Sequence, residues 1–318
     1  MRAMVCHGLT RDRSGLVFEP DWPEPASPGP GEVTVALAHA ALNYPDVLML
    51  SGGYQFAPAL PFIPGVEGAG TIIAAGPDVD TAHVGQGVIA GARQGCFAER
   101  VTVPLSAVRP VPPCLDLAAA AGLTVGALTA YVALVRRGRL MRGERVAVTG
   151  ASGGTGLAAV ALAKALGATV VAIASTGAKL AAARAAGADE MVLVERQGAV
   201  PPFEPVDAVF DPVGGSLVAP LLAVLRPGGR YLVIGFVGGI VSVGFDTLAR
   251  GVELIGVRAG EFARQDPAGG VANLAAIDAM AGQLTPVIGL RVPLDAAATA
   301  YSAMAEGTLI GKAIIDCV

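Results

Sequence analysis

Charge is scarce in this chain, and so are aromatic rings, histidine and cysteine. Asp, Glu, Lys and Arg make up 15% of the 318 residues, and Phe, Trp and Tyr 5%. The few charges nearly balance at a formal net −4, so no basic surface recommends nucleic acid as a partner. No run of like charge marks a solvated tail. Cys6, Cys96, Cys114 and Cys317 are scattered and form no Cys-x-x-Cys pair. This argues against a disulfide framework and for reduced thiols in a cytoplasmic protein. His7, His39 and His83 show no ligand spacing with one another or with the cysteines, so no metal site is expected. Nor does an apolar core of signal-peptide length follow Met1.

Apolar side chains are plentiful. The chain is 53% hydrophobic with a mean hydropathy of +0.60, which calls for extensive burial and fits a subunit interface. The 43 glycines and 23 prolines are spread along it, as tight turns require. Residues 117–135 carry no charge and are long enough to cross a bilayer. They are mostly Ala, Gly and Thr, weak drivers of insertion, so a buried helix is expected and no membrane partner.

The first third reads as β-rich. Residues 32–37 alternate as a half-buried strand, after a proline-rich stretch at 20–31. Further apolar runs at 70–75 and 87–90 are short and glycine-bounded, which suits an irregular barrel. After Asp116 the style changes. Strands are expected at 145–149, 169–174, 191–194, 206–210, 230–234 and 252–257, and helices at 156–166 and 178–186, stopped by Gly167 and Gly187. Six strands alternating with helices imply an α/β doubly wound parallel sheet. A helix at 295–305 and a strand at 312–317 are expected to return to the first domain.

The segment Val148-Thr149-Gly150-Ala151-Ser152-Gly153-Gly154-Thr155-Gly156 joins a strand to a helix, the context in which a glycine turn binds a dinucleotide. Glycine lets the backbone approach the pyrophosphate, and the helix N-terminus offers it unpaired N–H groups. Ala151 stands at the first position of the usual Gly-x-Gly-x-x-Gly. The next strand ends in Ala174-Ser175-Thr176 with no acid to bond ribose hydroxyls, and Lys179 follows. Two hydroxyls and a cation suit a 2′-phosphate, so NADPH is expected rather than NADH.

Several stretches together resemble one family. They are Ala41-Leu42-Asn43-Tyr44-Pro45-Asp46-Val47, Gly53-Tyr54, the run from Leu60 to Gly70, and Leu128-Thr129-Ala130-Tyr131. Phe210-Asp211-Pro212-Val213-Gly214, Ile234-Gly235-Phe236 and Gly311-Lys312 complete the set. They are similar to the zeta-crystallin-like quinone oxidoreductases, a zinc-free branch of the medium-chain dehydrogenase/reductase superfamily. The resemblance implies a GroES-like domain over residues 1–117 and 283–318, and a Rossmann domain over 118–282. It also implies NADPH in a cleft between them, and a homodimer or homotetramer. Zinc-dependent relatives carry cysteine where this chain has Asn43, and Gly-His-Glu where it has Gly65-Val66-Glu67.

By the same resemblance, Asn43 lies near the nicotinamide and bonds its ribose or the substrate oxygen. Tyr54 orients the substrate or delivers a proton, a task that water can also perform. Thr129 bonds the carboxamide. Ser152, Gly153, Gly154, Thr155, Gly156, Ser175, Thr176, Lys179, Val213, Gly235, Phe236 and Lys312 line the cofactor. Asp46 fixes local structure, and Arg258 meets an acyl-CoA phosphate or forms a surface ion pair. Without a Lewis acid the natural acceptor already conducts electrons well. Reduction of a quinone leads, ahead of reduction of an enoyl thioester or 2-alkenal, with a non-catalytic NADPH-binding role third.

Overall fold

A computed structural model of the chain describes residues 1–10, 12–195 and 198–318. By contacts it divides into two units, Met1–Thr124 with Thr285–Val318, and Val125–Leu284.

The first unit begins with β1 (Ala3–Cys6), β2 (Leu16–Glu19), β3 (Glu32–Ala41), helix α1 (Tyr44–Leu50), β4 (Glu67–Ala75), β5 (Gly87–Gly91), β6 (Arg100–Pro104) and β7 (Val108–Pro110). Helix α2 (Leu117–Tyr131) leads into the second unit and ends in a π-turn, Val132–Arg137. There follow β8 (Arg145–Thr149), α3 (Gly154–Ala165), β9 (Thr169–Ala174), α4 (Gly177–Ala185), β10 (Glu190–Leu193) and β11 (Val206–Asp211). The unit finishes with α5 (Val218–Ala223), β12 (Leu225–Val233), β13 (Glu253–Gly256), α6 (Ala259–Gln265) and α7 (Pro267–Ala279). The chain then returns to the first unit with β14 (Ile288–Pro293), α8 (Ala297–Glu306) and β15 (Lys312–Asp316).

In the first unit the main sheet runs β14-β15-β3-β4-β5-β7, with β6 also on β3; β1 and β2 pair separately. Val33, Val35, Leu37 and Ala40 of β3 enter a core with Ile72, Val88, Phe97, Tyr301 and Ile315. The strand expected at 32–37 runs on to Ala41, because β15 pairs with its far end, Ile314 opposite Ala41. The β-rich reading also missed α1. Pro45 sits in its first turn, where a missing N–H costs nothing.

The second unit holds a six-stranded sheet in the order β10-β9-β8-β11-β12-β13, all parallel. The chain winds outward from β8 in one direction and from β11 in the other, so a switch point lies between these two strands. Gly167 and Gly187 take left-handed φ values of 82° and 106° directly after α3 and α4, as helix-ending glycines do. The division at Thr124/Val125 falls inside α2 rather than ahead of it. The early residue Ala118 packs with Ala41 and Ile314, whereas Gly126 lies against the carbonyl of Gly154. The helix with its π-turn is long and apolar enough to span a membrane, yet 67% of its most apolar window is buried, as in a core helix.

Candidate active site

In the second unit, the end of β8 is shaped by two glycines. Gly150 turns the chain at φ 55°. A Cβ on Gly156 would lie 2.1 Å from the carbonyl oxygen of Gly150, so only glycine brings α3 this close to the turn. Gly153 is the N-cap, and Gly154, Thr155 and Gly156 form the first turn of α3. Their N–H groups have no partner within the helix, and the dipole there is positive. This cradle fits a pyrophosphate. Ser152, expected with them, is buried directly ahead of the N-cap, 4% exposed.

The carboxyl end of β9 carries no acid. Thr176 caps α4 by accepting from the Lys179 N–H, and Lys179 Nζ donates to Ser175 Oγ at 3.0 Å. The ammonium thus sits at the end of β9 beside the Ser175 hydroxyl. Thr129 lies three residues along α2 from Gly126, on the face that meets the Gly154 carbonyl.

Val213 packs its side chain on the Gly150 turn, 3.1 Å from where a Cβ there would stand. Its N–H is committed to Asp211 Oδ1 and its carbonyl to the Gly238 N–H. Gly235 follows β12 and approaches the Pro212 carbonyl too closely for any Cβ, at 2.8 Å. Phe236 beside it is exposed.

The first unit holds a buried polar cluster that sequence reading had only in pieces. Lys312 Nζ donates to Asn43 Oδ1 and Glu67 Oε1, both at 2.7 Å. Asn43 Nδ2 donates to Glu67 Oε1 at 2.9 Å and to the Ala41 carbonyl at 3.1 Å. The amide orientation is fixed, because reversing it would set two donors against each other at Lys312. Both amide protons are therefore spent, and Oδ1 accepts from Lys312. With its two amide protons given to Ala41 and Glu67, Asn43 has no further side-chain donor in this structure.

Asp46 ties this cluster to the Gly65 turn. Its carboxylate accepts from the Asn43 N–H at 2.9 Å and the Gly65 N–H at 3.1 Å. Complete burial pushes the Asp46 carboxyl up to about 7, against the pull of those two donors and Lys312. Tyr54 is half-buried against the same unit's core, and Tyr44 opens α1. Among the described residues no three His, Cys, Asp or Glu side chains gather as a metal set. Arg258 forms an exposed ion pair with Glu261 at 3.8 Å, the plainer of its two expected roles.

Two buried carboxylates in the quoted motifs, Glu67 and Asp211, have no role assigned from sequence. Asp211 accepts from Thr149, Tyr231, Val213 and Gly214 at the ends of β8, β11 and β12. An acid closing an apolar strand, Val209-Phe210-Asp211, was the available signal.

Residues 29–113 match the family model of the alcohol dehydrogenase GroES-like domain, and residues 154–276 that of the zinc-binding dehydrogenases. The human synaptic vesicle membrane protein VAT-1 homolog is 35% identical over 66% of this chain; the chain spans 55% of that relative's length, and about half of its rodent counterparts. Quinone oxidoreductase-like protein 2 of Bos taurus is 35% identical over 83% of this chain and 77% of its own length. The quinone oxidoreductase of Thermus thermophilus, solved also in complex with NADPH, is 33% identical with a TM-score of 0.86, covering 99% of this chain and 100% of that one. On the two-unit fold, the glycine cradle and these likenesses, the chain belongs to the medium-chain dehydrogenase/reductase family, among its quinone oxidoreductase-like members.

Proposed function

We propose that the chain is an NADPH-dependent reductase that passes hydride to a quinone without the help of a metal. The observation that carries the cofactor is the acid-free end of β9, where Lys179 bonds Ser175 beside the cradle of α3. An anionic 2′-phosphate is welcome there, while residues 175–179, directly after β9, hold no carboxylate to bond two ribose hydroxyls. When bound, NADPH supplies the hydride, and a conjugated carbonyl acceptor spreads the arriving charge onto oxygen.

The chain's own residues bind and orient. Gly153, Gly154, Thr155 and Gly156 hold the pyrophosphate; Ser175, Thr176 and Lys179 hold the 2′-phosphate. Thr129, Val213, Gly235 and Phe236 border the nicotinamide half. Asn43, held by Lys312, accepts from a ribose hydroxyl. Tyr54 orients the acceptor or delivers its proton. Metal independence rests on residue chemistry: an amide already committed at position 43 and a valine at 66 are no zinc ligands.

The assay is steady-state oxidation of NADPH against a panel of quinones, 2-alkenals and enoyl thioesters. Turnover of the alkenes alone moves the substrate to an activated C=C, and tight NADPH binding with no turnover at all sinks both enzymatic readings. Lys179→Ala is expected to weaken NADPH about tenfold, the scale of one lost charge-assisted hydrogen bond, and NADH hardly at all. Equal loss of both would count against the 2′-phosphate site.

The working form is a homo-oligomer. Ile240 and Phe245 are 82% and 90% exposed on one short apolar segment, and β13 is an edge strand of its sheet among the described residues. Such surface is costly in a monomer, and a second copy would cover it. Light scattering should give a dimer or tetramer that Ile240→Asp with Phe245→Asp converts to monomer.

A further inference from the structure

Asp211 lies at the switch point of the parallel sheet, 1% exposed, and gathers donors from three strand ends. Thr149 Oγ1, at the end of β8, donates to Oδ1. Tyr231 Oη, from β12, donates to Oδ2 at 2.6 Å. The Val213 N–H reaches Oδ1 at 2.9 Å, and the Gly214 N–H reaches both oxygens at 3.0 and 3.1 Å. The Asp211 carbonyl meanwhile accepts from Ile234 N–H at 2.9 Å.

The turn so held is closed from the other side by backbone alone. Gly238 N–H donates to the Val213 carbonyl at 2.7 Å and Gly215 N–H to the Gly239 carbonyl at 3.0 Å. Gly214 and Gly215 take φ values of 70° and 62°, and a Cβ on Gly215 would lie 2.3 Å from the Gly238 carbonyl. The four glycines carry no side chains to pack, so beside the Val213 side chain on the Gly150 turn it is the Asp211 carboxylate that joins the loop after β11 to the end of β8 and to β12.

We propose that Asp211, with Tyr231 and Thr149 as its donors, is a positioning residue that sets the affinity for the nicotinamide half of the dinucleotide. This rests on the NADPH reading. A dinucleotide straddles the switch point, one half on each side. The adenosine half falls to β8 and β9, with Ser175, Thr176 and Lys179. The other half falls to the loops after β11 and β12, which Asp211 ties to the end of β8. Asp211 touches no ligand itself, since its oxygens are occupied from within.

The two halves give a test by titration calorimetry with NADPH and with adenosine 2′,5′-bisphosphate, which lacks the nicotinamide half. Asp211→Asn sets an amide N–H₂ against backbone donors and should weaken NADPH about tenfold or more; Tyr231→Phe removes a single donor and should weaken it about threefold. Both variants should bind the bisphosphate within about twofold of the native protein. Equal loss of both probes would make Asp211 a merely structural residue and overturn the proposal, as would unchanged NADPH affinity in both variants. If Asp211→Asn fails to fold, Tyr231→Phe and Thr149→Val carry the same comparison. A native protein that binds neither probe would overturn the NADPH reading, and the proposal with it.

Discussion

Each unit buries carboxylates near its candidate site, and the two units answer them differently. In the first, Glu67 is 1% exposed and meets a full positive charge, Lys312, itself 4% exposed. In the second, among the described residues, Asp211 meets neutral donors: two hydroxyls and two backbone N–H groups. A single cation concentrates the compensation in one residue, so its removal strands a buried charge. Neutral donors divide the task, and each can be lost at smaller cost. Asp46 stands between the two patterns, with two backbone donors and Lys312 only as a neighbouring charge.

The largest expected effect tests the concentrated side. Lys312→Met should cost about 3–5 kcal/mol of unfolding free energy by denaturant titration, the usual result of breaking a buried ion pair. Adding Glu67→Gln to it should recover much of that loss; no recovery would mean that packing, not charge, is what Lys312 supplies. Tyr231→Phe tests the distributed side and should cost less, about 1.5–3 kcal/mol, as for one hydrogen bond to a charged group. A cost matching that of Lys312→Met would erase the distinction.

The most gradual effect, spread between pH 3.8 and about 7, concerns Asp46. Its folded value of about 7 lies above the ordinary 3.8, so the native state holds a proton that the unfolded chain has released. That contribution is complete below pH 3.8 and is lost as pH rises through about 7. Unfolding free energy should therefore fall between these limits by at most about 1.4 kcal/mol per pH unit, then level off. Asp46→Asn should remove that slope, and a slope unchanged in the variant would assign it to another group.

Local patterns were readable along the chain. The strands Arg145–Thr149 and Thr169–Ala174 have the expected bounds, because β-branched runs closed by glycine turns leave the backbone little choice. Ser175, Thr176 and Lys179 lie within five residues, and one helical turn brings them together. The helix α1 was not legible, since seven residues with a proline in the first turn carry too little periodicity. Nor were the full lengths of β3 and β4, which depend on what pairs with them.

By itself, then, the sequence determined the alternation of strands and helices, the glycine cradle with its 2′-phosphate candidates, and the amide and valine at positions 43 and 66. Tertiary structure alone decided which charges are answered, and by what. Lys312 is 269 residues from Asn43 and 245 from Glu67, and Thr149 is 62 from Asp211. The physical reason is that a hydrogen bond depends on position in space, and only sheet pairing sets the positions of residues so far apart. β15 laid against β3, and β8 beside β11, are what turn scattered polar residues into two buried centres.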